Sequence, residues 1–342
     1  MPNEQLPEFV DFLLQPDAYA PQPSAVKLIQ THISYVFITD DLVFKFKKPV
    51  DFGFLDFTSL NKRLHFCRQE LTLNRRLCPS IYLGLVALKK KNNSLSLGSP
   101  DQADAENIIE YGVKMKRMPE ERMMANVIKA GLLVPEMIDA ICDVLVPFYA
   151  EAEGGPMIQE FGRPEAVSVN IFENFSQTEP FIGSPALSQN QFDRIRDFST
   201  VFLQQTGLFA ARIAAGRIRD CHGDLYSANI CLADHVYIFD CIEFNERFRY
   251  CDVASDIAFL AMDLDYHGLS SLSERFVARF AEKSGDGGLE PMLNFYKCYR
   301  AYVRGKINLF TAHAPEVDTE TKSQCQEMAG KYFKLADRYA SQ

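Results

Sequence analysis

Two periodicities divide the chain. Up to about residue 118 the apolar positions largely alternate. In Leu42-Val43-Phe44-Lys45-Phe46-Lys47, the side chains of Leu42, Phe44 and Phe46 fall on one face and those of Val43, Lys45 and Lys47 on the other, as successive residues of a strand must. Val26–Thr31, Tyr35–Thr39, Ile81–Leu88 and Ile108–Met118 read as further strands, with Asp40-Asp41 as a tight-turn signal and Lys89 to Ser94 as a polar hairpin tip. Glu4–Gln15 carries a helical apolar face that stops at Pro16-Asp17. Thr58-Ser59-Leu60-Asn61 caps a second helix running to about Leu77, with Leu60, Leu64, Cys67 and Leu71 in a stripe and Glu70 beside it. One main helix among about five strands predicts a small α+β lobe over residues 1–118.

From Pro119 the spacing turns helical. Glu120–Ala130, Pro135–Glu153, Gln189–Ala214, Leu272–Lys283 and the aromatic run Asn294–Ala312 all repeat their apolar residues at three and four, and strand-like runs survive only around Asp224 and Asp240. The segment from Gly154 to Pro185, rich in Gly, Pro, Asn and Phe, reads as a long connection between helices, with an excursion shaping a binding face as the alternative. The expected architecture is α+β in two lobes: an antiparallel-sheet lobe over 1–118 and a larger, mostly helical lobe over 119–342.

A length of 342 residues suits two such lobes, and 47% hydrophobic with 24% charged residues places the chain among soluble globular proteins. No apolar run reaches the roughly eighteen residues of a spanning helix. The first residues lack the basic start and apolar core of a secretory signal, so a cytoplasmic location is expected. Nine cysteines, scattered without a C-x-x-C pair, read as reduced buried thiols and not as a disulfide framework or zinc site. A net charge of −9 disfavours nucleic acid and anionic membrane surfaces as partners. A polyanionic nucleotide would then need a local basic site and a metal.

The chain supplies both. Cys221-His222-Gly223-Asp224-Leu225-Tyr226-Ser227-Ala228-Asn229 places an acid and then an amide five positions on, and Val236-Tyr237-Ile238-Phe239 leads to a second acid, Asp240. A magnesium-dependent phosphoryl transfer needs such a set: one carboxylate takes the acceptor's hydroxyl proton, while an amide oxygen and another carboxylate hold the metal on the nucleotide phosphates. The H-x-D-x-x-x-x-N spacing is that of a kinase catalytic loop. Lys45 is the candidate for neutralising phosphate oxygens, with Lys47 as the alternative on the same strand face; solvated edge lysines are the competing reading for both. Glu70 is the candidate partner that fixes Lys45. Lys116 and Met118 are further cofactor-binding candidates, where a linker after the last strand acts as a hinge and presents backbone groups to an adenine ring. Asp51-Phe52-Gly53 spells a kinase metal motif but precedes the catalytic loop, so Asp240 holds that position instead. No G-x-x-x-x-G-K-S/T occurs, which excludes a Walker P-loop, and any phosphate-covering loop must use Gln30-Thr31-His32-Ile33-Ser34 without glycine. Asp252 and Asp256 open a helix; the first reading is structural, and Asp256 alternatively anchors the catalytic loop through its amides.

The assembled order resembles the aminoglycoside phosphotransferase and choline-kinase branch of the protein-kinase-like fold. It is most similar to the bacterial group labelled aminoglycoside phosphotransferase family enzymes, on Gln30-Thr31-His32-Ile33-Ser34, Lys47-Lys48-Pro49-Val50-Asp51-Phe52-Gly53-Phe54-Leu55-Asp56-Phe57 and His222-Gly223-Asp224-Leu225. The likeness runs from about Val26 to Leu309. It implies an ATP- and Mg2+-dependent phosphotransferase in which 1–118 is the nucleotide-binding lobe, Lys45 meets the phosphates with Glu70 as its partner, Asp224 is the general base, and Asn229 and Asp240 are magnesium ligands. The acceptor implied is the hydroxyl of a small molecule. A catalytically idle nucleotide-binding module of the same fold and a nucleotidyl transferase acting on proteins are the alternatives. Some members of that group carry a fused P-loop ATP-binding domain, which makes a separate P-loop ATP-binding partner an expectation here.

Overall fold

A computed structural model of the protein describes residues 6–100, 102–315 and 317–342. It separates into two compact units. One comprises Met1–Met123 with Tyr237–Glu246, and the other Met124–Val236 with Arg247–Gln342. Among the described residues no helix is long and apolar enough to cross a membrane.

The first unit is built on a six-stranded antiparallel sheet. Helix α1 (Glu8–Leu13) precedes strands β1 (Lys27–Gln30), β2 (Ser34–Ile38) and β3 (Leu42–Lys47); helix α2 (Leu60–Asn74) then leads to β4 (Tyr82–Lys91), β5 (Ser94–Gly98) and β6 (Ile108–Lys116). The order across the sheet is β1-β2-β3-β6-β4-β5, with Lys45 of β3 opposite Val36 on one side and Val113 on the other. Alternation along β3 sorts two cores. Phe44 and Phe46 join Val10, Leu13, Tyr35 and Phe37 on the α1 face, while Val43 packs with Cys67, Ile81, Tyr82, Val113 and Met115 on the α2 face. Lys45 and Lys47 therefore enter the α2 side, where two cations require partners. Gly112 of β6 lies beneath the Phe46 ring, which an added Cβ would meet at 2.8 Å.

The strands match the alternating pattern, with three differences. The lysine run Lys89-Lys90-Lys91 is not a loop: β4 continues through it and pairs with β5, a sixth strand, and the turn is only Asn92-Asn93, both at positive φ (48° and 64°). Asparagine tolerates that conformation, so two residues suffice. Helix α2 stops at Asn74 and not Leu77, its N-terminus capped by the Ser59 hydroxyl, which accepts from Lys62 N–H at 3.2 Å. The first residues of the predicted helix Glu4–Gln15 lie outside the described residues, and α1 itself covers only Glu8–Leu13.

The second unit contains α3 (Met124–Lys129), α4 (Pro135–Glu151), α5 (Pro156–Gln159), α6 (Pro164–Thr178), α7 (Gln189–Leu203), α8 (Thr206–Ala214), the short strand β7 (Ile218–Asp220) paired with a later strand Tyr250–Asp252, and helices Val253–Tyr266, Ser270–Ser284, Glu290–His313 and Thr319–Ala340. We label the four last helices α9 to α12. Helix α9 is the centre: Val253 to Leu264 are all buried, and α10 and α11 pack on it. The connection expected over Gly154–Pro185 is a correction, because α6 occupies much of it with Ile171, Asn174, Phe175 and Thr178 buried. The predicted single helix Gln189–Ala214 is two, α7 and α8, broken at Gln204-Gln205.

Candidate active site

In the first unit, five charged side chains meet at the end of β3. The Lys45 ammonium lies 2.9 Å from Glu70 Oε1 and 2.6 Å from Asp240 Oδ1. Lys47 Nζ is 2.8 Å from Glu70 Oε2 and also pairs with Glu243 Oε1. Lys47 and Glu70 are each 1% exposed, whereas Asp240 is 44% exposed. Each oxygen of Glu70 thus serves one lysine. Burial works against charge on Lys45, but Asp240, Glu70 and Glu243 outweigh it and hold its pKa well above that of an ordinary lysine. Burial also disfavours the charged form of Glu70, yet Lys45 and Lys47 together bring its pKa down to about 2. Glu243, with Lys47 as its closest cation and Glu70 as a like charge, is shifted upward, chiefly by burial.

Asp240 is placed by its backbone. It sits at φ 61°, its N–H donates to the Tyr82 hydroxyl at 3.3 Å, and the next N–H, of Cys241, donates to Asn74 Oδ1 at 2.9 Å. Asn74 in turn donates to Glu70 O at 2.8 Å. The C-terminal turn of α2 therefore fixes both the glutamate and the aspartate that share Lys45. Lys116 is exposed at the end of β6, and Met118 is half-buried against the Ile81 and Tyr82 core. Neither joins the charged cluster. Asp51 accepts from Gly53 N–H at 2.8 Å within its own loop, as a turn residue does.

In the second unit, β7 delivers the chain into His222-Gly223-Asp224. The turn needs glycine at Gly223, where φ is 87°. Asp256, fully buried on the first turn of α9, accepts from His222 N–H at 2.7 Å and from Gly223 N–H at 3.0 Å. Tyr149 donates its hydroxyl to the same carboxylate at 3.1 Å, and Arg300 donates to Gly223 O at 2.9 Å. Asp263, two turns along α9, accepts from Ser227 N–H at 3.0 Å. Asp224 is half-buried; its N–H donates to His222 Nδ1 at 3.3 Å, and its carboxylate accepts from Asn229 Nδ2 at 3.0 Å. His222 is buried and acts as an acceptor in the loop, a scaffold role.

The two-residue alternatives for the lysine resolve into a pair: both Lys45 and Lys47 engage Glu70. Asp256 anchors the His222-Gly223 turn through its amides, while Asp252 caps α9 by accepting from Ala254 N–H at 2.9 Å and pairs with Arg212 at 2.6 Å. Glu243, Arg300 and Asp263 were not singled out from the sequence. Glu243 carried a weak signal, an acid three positions after Asp240 on a run whose other residues are apolar or cysteine; Arg300 and Asp263 carried none.

The order of elements in the chain, a six-stranded antiparallel sheet with one long helix followed by a helical unit, matches a solved structure. Choline kinase LicA from Streptococcus pneumoniae superposes with a TM-score of 0.50 at 14% identity, over 96% of this chain and 99% of that one. The fold is that of choline kinase. No family model matches the chain. Uncharacterised proteins of Mycobacterium tuberculosis and Mycobacterium bovis are 34% identical over 291 residues, which is 84% of this chain and 56% of theirs. The chain thus spans little more than half the length of these curated relatives.

Proposed function

We propose that the protein is an ATP- and Mg2+-dependent phosphotransferase acting on the hydroxyl of a small molecule. The observation that carries this reading is the ammonium of Lys45 held by Glu70 and Asp240, a cation kept charged and aimed in a half-open setting, which suits the oxygens of a polyphosphate. The cluster around it holds three carboxylates and two ammonium groups, so it is one negative charge in excess, and Asp240 is its exposed member. That excess favours a cation. Among the described residues no three His, Cys, Asp or Glu side chains are grouped to hold a metal by themselves. A hard cation that keeps waters and takes phosphate oxygens fits such a sparse set, with Asp240 as the protein ligand that this unit offers. Bound there, Mg2+ would neutralise charge on the transferring phosphates.

Lys45 would offset the remaining phosphate charge, Glu70 would keep it in place, and Lys116 and Met118, at the end of β6, would flank the nucleoside. Asp224 would accept the acceptor's hydroxyl proton, its loop held rigid by Asp256, Asp263 and Arg300. Positioning and charge neutralisation would supply most of the rate. The reading is tested by measuring ATP consumption across a panel of hydroxyl-bearing acceptors, with Asp224→Ala as the blank. The expected outcome is one acceptor whose phosphorylation falls by roughly 10²–10⁴-fold in the blank; consumption equal in both proteins would sink it. Mass spectrometry of the product separates phosphate from nucleotidyl transfer.

A further inference from the structure

We propose that Lys47 and Glu243 form a second, buried ion pair whose task is to position Glu70, and through Glu70 the ammonium of Lys45. Neither touches a nucleotide in this reading; both are positioning residues. The inference deepens the phosphotransferase reading but rests on geometry within the first unit. Both oxygens of Glu70 face a lysine: Oε1 lies 2.9 Å from Lys45 as an ion pair, and Oε2 accepts a hydrogen bond from Lys47 at 2.8 Å. A glutamate bound by Lys45 alone would turn about its last torsion, a broad two-fold rotation, and would carry the lysine with it. Lys47 prevents the turn.

Lys47 is itself fixed from three sides. Its ammonium pairs with Glu70 and Glu243 and lies 4.9 Å from the centroid of the Phe57 ring. Glu243 is needed because the site is buried. At 1% exposure Lys47 relies on protein acceptors, and without Glu243 it would draw on Glu70 alone and compete with Lys45 for it. The backbone makes the arrangement economical. Glu243 follows Asp240 by three residues, and the turn at Asp240 is tied to α2 through Asn74, the residue one turn after Glu70. One short segment therefore brings in both the carboxylate that faces Lys45 from outside and the one that secures Lys47 from inside. Lys45 is left shared between a fixed acid, Glu70, and an exposed one, Asp240, from which an incoming phosphate would release it.

The test removes both members of the pair together, since deleting one leaves an unpaired buried charge and a folding defect. Lys47→Met with Glu243→Leu replaces the pair by apolar groups of similar size, a change that is often neutral or stabilising for the fold. The crystal structure of this double variant is the first readout, and it does not depend on any activity: Lys45 Nζ is expected to leave Glu70 and rest on Asp240. Lys45 found within 3.2 Å of Glu70 Oε1, as before, would overturn the proposal. The second readout is MgATP affinity by calorimetry, where a loss of roughly 10-fold is expected with thermal stability retained. Lys47→Arg, which keeps the charge and both carboxylate contacts, is expected to bind MgATP within about 3-fold of the native protein. Equal affinity in the double variant overturns the proposal. Should the native protein bind no nucleotide, the phosphotransferase reading falls while the position of Lys45 in the variant still decides this one.

Discussion

Individual side chains in this protein carry more than one duty, and the buried ones show it most clearly. Asp256 satisfies two backbone N–H groups of the His222-Gly223 turn, the Tyr149 hydroxyl and, at 3.5 Å, Arg300. Asp256→Ala would leave two buried amides without their acceptor and the buried Arg300 without its carboxylate, so a loss of about 3–5 kcal/mol is expected in urea unfolding. Asp256→Asn, which keeps an acceptor but turns an NH2 toward donors, should fall between. Lys306 makes the opposite case, a cation with amides but no acid in contact: Asn174 Oδ1 at 2.5 Å and Gln177 Oε1 at 2.8 Å. Burial lowers its pKa from 10.5 to about 8, only partly opposed by Glu173. The unfolded chain keeps this proton up to about 10.5 and the folded chain releases it near 8. Between these values the unfolded state binds more protons, so rising pH favours the fold; below 8 both states are protonated and the slope vanishes. The stability of the native protein relative to Lys306→Met is therefore expected to climb between about pH 8 and 10.5 and to be flat at pH 6 to 7. A flat difference throughout would refute the assignment.

At the scale of elements, packing decides what the residue pattern leaves open. The β6 strand passes so close under Phe46 that Gly112→Ala must displace the ring; in a filled core this costs about 1–3 kcal/mol, and the melting temperature should drop accordingly. Strands β2 and β3 were legible because one face is apolar and the other is not, and α2 because Ser59 begins it and a stripe runs through it. Helix α6 was not. Gly154-Gly155 and Pro156 before it, Pro164 at its start and Pro180 after it punctuate the region as a loop would, yet Pro164 is the first residue of the helix, where a missing N–H costs nothing. Val167, Ile171 and Phe175 repeat at four inside it, a signal masked by its surroundings. Helix α12 escaped notice for another reason: the first half of its buried face is only Cys325 and Ala329, a faint stripe, and the large apolar residues Phe333 and Leu335 come late in it. Of the candidate site, the order along the chain pointed to Lys45, Glu70 and Asp240, which the structure brings together, and to Asp224 and Asn229, which share a hydrogen bond. The pairing of Lys47 with Glu243 was not, since it joins residues 196 positions apart whose types alone suggest solvent-facing charges.

For the molecule as a whole, the two halves of the proposed chemistry fall in separate compact units, and each half can be tested without the other. The phosphate-facing charges Lys45, Glu70 and Asp240 belong to the first unit, and Asp224 belongs to the second. A ligand that binds only the folded state stabilises it by RT ln(1 + [L]/Kd), about 2.7 kcal/mol at a hundredfold excess over Kd. MgATP or MgADP is thus expected to raise the thermal midpoint of the native protein by a few degrees. Lys45→Met removes the cation that would meet the phosphates and leaves Glu70 with Lys47, so this variant should keep its fold and lose most of the rise. Asp240→Asn should show the rise with nucleotide alone but no further gain on adding Mg2+, because the exposed carboxylate of the cluster is gone. Asp224→Ala should retain the full rise with both and lose only turnover, since its carboxylate acts on the acceptor. A thermal rise that survives in Lys45→Met, or one that disappears in Asp224→Ala, would show that the division of labour is wrong even if the protein turns out to consume ATP.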